Sequence, residues 1–238
     1  METRKDRSAP VKFARSATKL VWQKARQASQ RVELKRVQSK RAPTRLILGA
    51  GYQQREGWLS SDILPRRLGV VYLDVTKRFP FPDASVERIF AEHIIEHVPL
   101  EQAETMLSEC FRVLQPGGRI RLATPDVQRI ARLLQPLDAD GERYVHESNE
   151  MTVSDRPDLL DEPLVAVNRI FQDWGHCFLY DEAFLRGRLT RAGFTDVVRC
   201  QVGESDDAHF IGMEEHGLHI GDFCNRFETL ILEATRPG

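Results

Sequence analysis

From Arg45 onward the chain alternates short apolar runs with stretches of helical character, and this alternation constrains the fold more than any other feature. Arg45–Leu48, Gly57–Ile63, Val70–Leu73, Arg88–Ala91 and Arg119–Ala123 read as strands. Leu100–Leu114 reads as a helix whose residues Leu100, Ala103, Met106, Leu107, Cys110, Phe111 and Leu114 share one face. Val127–Leu134 and Tyr180–Ala192 are further helices, the second stopped by Gly193. Asp196–Val202 and Glu228–Thr235 complete a set of seven strands. Strands that alternate with helices form βαβ units, so the expected class is α/β, with a doubly wound, mostly parallel seven-stranded sheet and helices on both faces. Pro116-Gly117-Gly118 reads as a tight turn. Residues 136–175 read as irregular and charged, too long for a passive connection, and hence as a lid-like insertion.

The net charge of -1 hides a split between two parts. Residues 1–41 hold 13 Lys/Arg and 3 Asp/Glu, which leaves 21 basic and 32 acidic residues for 42–238. The expected organisation is a basic helical arm, 1–41, on an acidic domain, 42–238. In the arm Ala14, Ala17, Val21, Ala25, Ala28 and Val32 make a narrow apolar stripe. It reads either as a solvated helix or as a docking or membrane-surface helix anchored by Trp22. Its Arg-, Ala- and Gln-rich composition also resembles an organellar transit peptide, against which Glu2 and Asp6 count. An acidic body gains no electrostatic help toward nucleic acid, so DNA is not an expected partner. Cys110, Cys177, Cys200 and Cys224 are widely spaced and form no CxxC pair, which fits a reduced, cytoplasmic setting and no zinc site. No apolar run approaches the ~18 residues of a membrane span.

The chemistry-bearing residues fall at the strand ends. Leu46-Ile47-Leu48 runs into Gly49-Ala50-Gly51, where missing Cβ atoms let a ligand approach the backbone. A carboxylate at the tip of the next strand, Asp62, can accept both hydroxyls of a ribose. Val71-Tyr72-Leu73-Asp74-Val75 ends in another, and three polar tips side by side outline an adenosine-sized crevice. Glu92-His93-Ile94-Ile95-Glu96-His97 would set Glu92 beside Glu96 and His93 beside His97 if a helix begins there. His146 lies within the irregular segment, His176 at its end, and His209, His216 and His219 in a Gly- and acid-rich loop read as solvent-facing. A cation between Asp126, Asp173 and His176 is conceivable, but no ligand spacing demands one, and no metal is expected.

The run RLILGAG, GWLSSDI, VVYLDV, FPFPDASVERIFAEHIIEHV and CFRVLQPGGRIRLATPD resembles the class I S-adenosylmethionine-dependent methyltransferases of type 11. Within them it is similar to a bacterial branch associated with surface sugar and polysaccharide biosynthesis. FPFPDAS and FRVLQPGG are the most specific segments, and GHCFLYDEAFLRGRLTRAGF extends the likeness over about 45–235. The resemblance implies a Rossmann-like domain with S-adenosyl-L-methionine as cofactor. Gly49 and Gly51 would lie under its methionine part and Asp62 would hold the ribose. Asp74 and the Val75 N–H would meet the adenine, with Glu92 and His93 beside the methionine end and the acceptor. The candidate cofactor-binding set is thus Leu48, Gly49, Ala50, Gly51, Asp62, Ile63, Asp74, Val75, Glu92 and His93.

Two positions depart from the pattern. Ile47 stands where the family has an acidic residue, and only 13 positions separate Gly49 from Asp62, too few for a full crossover helix. Methylation of a hydroxyl needs a base, which makes His93, His97, His146 and His176 the candidate catalytic residues. Ala91-Glu92-His93 replaces the Asp/Asn-Pro-Pro-aromatic run of base-amine methyltransferases, and no Pro-Cys pair supplies a cytosine nucleophile. The expected acceptor is therefore a small molecule or glycan, most simply a sugar hydroxyl. Two rivals remain: an RNA methyltransferase that uses the basic arm, and a catalytically silent scaffold of the same fold.

Overall fold

The computed structural model describes residues 45–238, and the arm at 1–41 lies outside the described residues. Seven strands form one sheet: β1 Arg45–Leu48, β2 Leu59–Asp62, β3 Val71–Tyr72, β4 Val86–Glu92, β5 Leu114–Pro125, β6 Thr195–Cys200 and β7 Thr229–Thr235. Their order is β3-β2-β1-β4-β5-β7-β6. β1 to β5 pair in parallel, and β7 runs antiparallel to both β5 and β6. Leu46, Ile47 and Leu48 are all buried, as a central strand covered on both faces requires.

One face of the sheet is packed by α1 Leu100–Val113 and α5 Glu182–Arg191, through Met106, Leu107, Cys110, Leu185 and Leu189. Burying each such side chain contributes roughly 1.5–3 kcal/mol. Behind β1 and β4, Ile47, Ala50 and Phe90 are covered by Trp58 and by Phe210 and Met213 from the loop between β6 and β7. Residues 49–58 contain turns but no helix, in keeping with the short spacing to Asp62, and that loop does the covering instead.

Two segments differ from the sequence expectation. Residues 136–175 are not irregular: they hold α3 Ala139–Val153 and α4 Pro163–Gln172, which follow the short α2 Val127–Arg132. Asp138 caps α3 by accepting the Gly141 N–H at 2.8 Å, and Pro163 opens α4. The buried face of α3 is Tyr144, Val145, Ser148 and Asn149, half of it polar, so no apolar stripe marks the helix. Asn149 donates to the carbonyls of Leu159, Leu160 and Glu162 at 3.0–3.1 Å and so ties α3 to the turn before α4. α2, α3 and α4 form a second apolar core with Cys224 of α6 Asp222–Glu228, beyond the carboxyl ends of the parallel strands.

Pro116-Gly117-Gly118 turns within β5 and not ahead of it. Val86 pairs with Leu114 and Arg88 with Arg119, so residues 115–118 bulge out of a continuous β5, with Gly117 at φ +75°.

Candidate active site

Between β1 and β4 the strand order reverses direction, and there a doubly wound sheet opens a crevice at its carboxyl edge. A cavity of about 420 Å³ lies there, walled by Leu48–Gln53, Arg67, Glu92, His93 and the segment 215–219. Gly49 and Gly51 both have positive φ, +60° and +53°. A Cβ on Gly51 would meet no atom within 4 Å, so the open space beside it fits a ligand laid against the backbone. A Cβ on Gly49 would collide with the Ile94 side chain, so that glycine serves packing.

The predicted carboxylates stand at their strand tips. Asp62 accepts the N–H of Gly51 at 2.9 Å and of Leu64 at 2.6 Å, one on each oxygen, and each oxygen keeps a lone pair. Asp74 accepts the N–H and hydroxyl of Thr76 on one oxygen, at 2.9 and 2.6 Å, and these bonds hold its carboxyl below the usual range. Val75 follows it and packs against the core, whereas Ile63 is exposed. Ile47 is buried among Phe90, Phe210 and Met213, so no acidic group stands at that position.

A second cavity, about 520 Å³, opens beside the first under α3 and α4. The two share His93, His216 and His219 as a common wall. His93 is left-handed, at φ +49°, and its N–H donates to the Ala123 carbonyl at 2.9 Å. This kink prevents the helix expected over 92–97. A three-residue turn, Ile95–His97, forms instead, and the 92/96 and 93/97 pairs do not arise. His93 Nδ1 pairs with Glu96 Oε1 at 2.9 Å, and Glu96 Oε2 accepts the Thr124 hydroxyl at 3.0 Å. Glu96 is fully buried, while His93 Nε2 is buried and has no protein partner. Burial disfavours charge on both members, but their pairing outweighs it: His93 is shifted up and Glu96 down. Burial shifts His97 down.

Glu92 lines the first cavity, and each of its oxygens accepts one N–H, from Glu215 and His216 at 2.9 and 3.0 Å. Other expectations need correction. His146 is exposed on α3, paired with Asp161 at 2.7 Å and away from both cavities. His176 does line the second cavity, its Nδ1 held by the Ile170 carbonyl. Asp126, Asp173 and His176 form no cluster: Asp126 caps α2 and pairs with Arg199 at 3.0 Å, and Asp173 faces Arg169. His216 is not solvent-facing. Its ring lies on that of His93, centroids 3.8 Å apart, with Glu228 at 3.5 Å, yet burial keeps its pKa below the ordinary value. Nothing in the sequence marks His216 as a site residue, since only the tertiary fold sets it against His93.

The loop that carries His216 is fastened by Arg121, which sequence reading passes over as a strand residue. Its guanidinium is fully buried and pairs with Glu214 and Glu233, both at 2.5 Å, and donates to the carbonyls of Gln201 and Glu204.

Comparison with known proteins agrees with this geometry. Residues 56–122 match the family model described as a methyltransferase domain. A segment of 47 residues is 49% identical to a Mycolicibacterium smegmatis protein named a probable S-adenosylmethionine-dependent methyltransferase. That match spans 20% of this chain and 18% of the relative, less than a fifth of its length. The solved structure of an S-adenosylmethionine-dependent methyltransferase from Archaeoglobus fulgidus is 15% identical over 91% of this chain and 98% of that one, with a TM-score of 0.50, and shares the fold. Sheet order and solved neighbour together define the fold as that of the class I methyltransferases, and residues 56–122 are similar to a methyltransferase domain. Among the described residues no helix is long and apolar enough to cross a membrane.

Proposed function

We propose that the protein transfers a methyl group from S-adenosyl-L-methionine to a hydroxyl of a small polar acceptor, a sugar or glycan precursor, held in the second cavity. The observation that carries this reading is the His93–Glu96 pair on the wall between the cavities, with His93 Nε2 left unpartnered. The cofactor supplies an electrophilic methyl group, so the protein's tasks are alignment, exclusion of water and removal of one proton. Gly51 and Asp62 hold the cofactor. His93 Nε2 accepts the hydroxyl proton as the oxygen bonds to the methyl carbon and the carbon–sulfur bond breaks, its electron pair staying on the sulfur of S-adenosylhomocysteine, and Glu96 stabilises the resulting imidazolium. Trp174 and Ile170 on the cavity wall offer apolar surface for the C–H face of a sugar ring, and Arg169 offers a cation beside it. The preference for a sugar rests on the likeness to the polysaccharide branch.

The test is transfer of labelled methyl groups to a panel of nucleotide sugars and oligosaccharides. His93→Asn should lower the rate roughly 10²–10⁴-fold with cofactor binding intact. Full activity in that variant would rule His93 out as the base.

A further inference from the structure

Beside the His93–Glu96 pair stands a second constellation that proton transfer does not use. One ligand atom each of Glu96, His97 and His176 lies within 4.8 Å of the others, and the two imidazole centroids are 4.9 Å apart. We propose that these three side chains bind a first-row divalent cation, and that its open coordination positions face the acceptor cavity.

The hydrogen bonds around the three side chains suit metal ligands. His176 gives its Nδ1 proton to the Ile170 carbonyl, which leaves the Nε2 lone pair available and fixes the ring. Glu96 spends one lone pair of each oxygen on His93 and Thr124 and keeps one on each. His97 and His176 are far apart in sequence, yet the backbone holds them together, because the Cys177 and Phe178 N–H groups donate to the Glu96 carbonyl at 2.7 and 3.1 Å. Both histidines line the 520 Å³ cavity, whereas Glu96 is buried behind them. Two imidazoles and one carboxylate suit Zn²⁺, Mn²⁺, Fe²⁺ or Co²⁺, and three protein ligands with an open side is the pattern of catalytic sites. Resting on the methyl-transfer reading above, the cation would take up a hydroxyl oxygen of the acceptor and ease loss of its proton to His93. The acceptor class is then one with two neighbouring oxygens able to chelate, such as a sugar diol.

The test is titration of chelator-stripped full-length protein with Co²⁺ and Mn²⁺, by calorimetry and by the visible absorption of bound Co²⁺. One equivalent should bind. His97→Ala and His176→Ala should each weaken binding at least about 100-fold, since loss of outer partners alone costs 10–100-fold. His146→Ala, on the surface pair with Asp161, should leave it unchanged. Titration of the same samples with S-adenosylhomocysteine reports folding and the cofactor site independently. If His97→Ala does not fold, His176→Ala decides alone. Absence of cation binding, or binding undiminished by His176→Ala, overturns the metal site and leaves the methyl-transfer reading standing if the cofactor product still binds. Cation binding without cofactor binding does the reverse.

Discussion

Gly49 and Gly51 share a left-handed backbone and lack side chains for opposite reasons. At Gly49 the missing Cβ makes room for Ile94, and at Gly51 it leaves open space. Gly49→Ala should cost about 1–3 kcal/mol of overpacking on top of about 1–2 kcal/mol for the left-handed backbone. In an Ile94→Ala background only the backbone part should remain. Gly51→Ala should cost the backbone strain alone yet weaken S-adenosylhomocysteine binding. Denaturant melts and calorimetry on the same variants check both, and equal behaviour of the two glycines would contradict the assignment. The Gly-Ala-Gly stretch was legible in the sequence because strand and turn are local. So was the presence of His93, His97 and His176 near the site, whereas the exclusion of His146 and the arrival of His216 are set by tertiary packing.

The element that closes the site is the loop between β6 and β7, held to the sheet by buried ion pairs rather than by regular structure. Arg121→Ala leaves Glu214 buried without its cation and Glu233 with Arg119 alone, and should destabilise the protein by about 3–5 kcal/mol. Since Glu214 directly precedes the residues bonded to Glu92, the same variant should loosen the wall that Glu215 and His216 give the first cavity and lower the cofactor affinity. Asp207 is a second fastening. Burial opposes its charge, but the His209 N–H and Arg88 outweigh this, and its carboxyl is shifted down. A depressed carboxyl contributes stability above its unfolded pKa, about 3.9, that is lost as pH falls through the lower folded value. Asp207→Asn should therefore reduce stability near neutrality and flatten the acid limb of a stability-against-pH profile. An unchanged limb would remove Asp207 from the fastening. The ion pairs are not visible in the sequence, because each joins residues more than 90 positions apart. α3 escaped notice for a related reason: Ser148 and Asn149 bury polar groups where a helix signal needs apolar ones.

At the scale of the molecule, the strand sequence and the switch in strand order place two cavities side by side at one sheet edge, with a histidine wall between them. The sheet was legible because the strands are short apolar runs bounded by turns. The second cavity was not, because it is roofed by α3 and α4. The account as a whole depends on the first cavity being the cofactor site, although position 47 holds a buried Ile and not a carboxylate. Asp62 is the residue to remove, since it braces Gly51 and supplies the remaining acceptors at the β2 tip. The deciding measurement is calorimetric titration with S-adenosyl-L-methionine and S-adenosylhomocysteine, the unmodified protein beside Asp62→Ala. The account predicts saturable one-to-one binding of both ligands, weakened at least roughly tenfold in the variant by the loss of hydrogen bonds to a charged group. No binding to the unmodified protein, or equal binding to both proteins, would contradict it and favour a silent scaffold of the same fold.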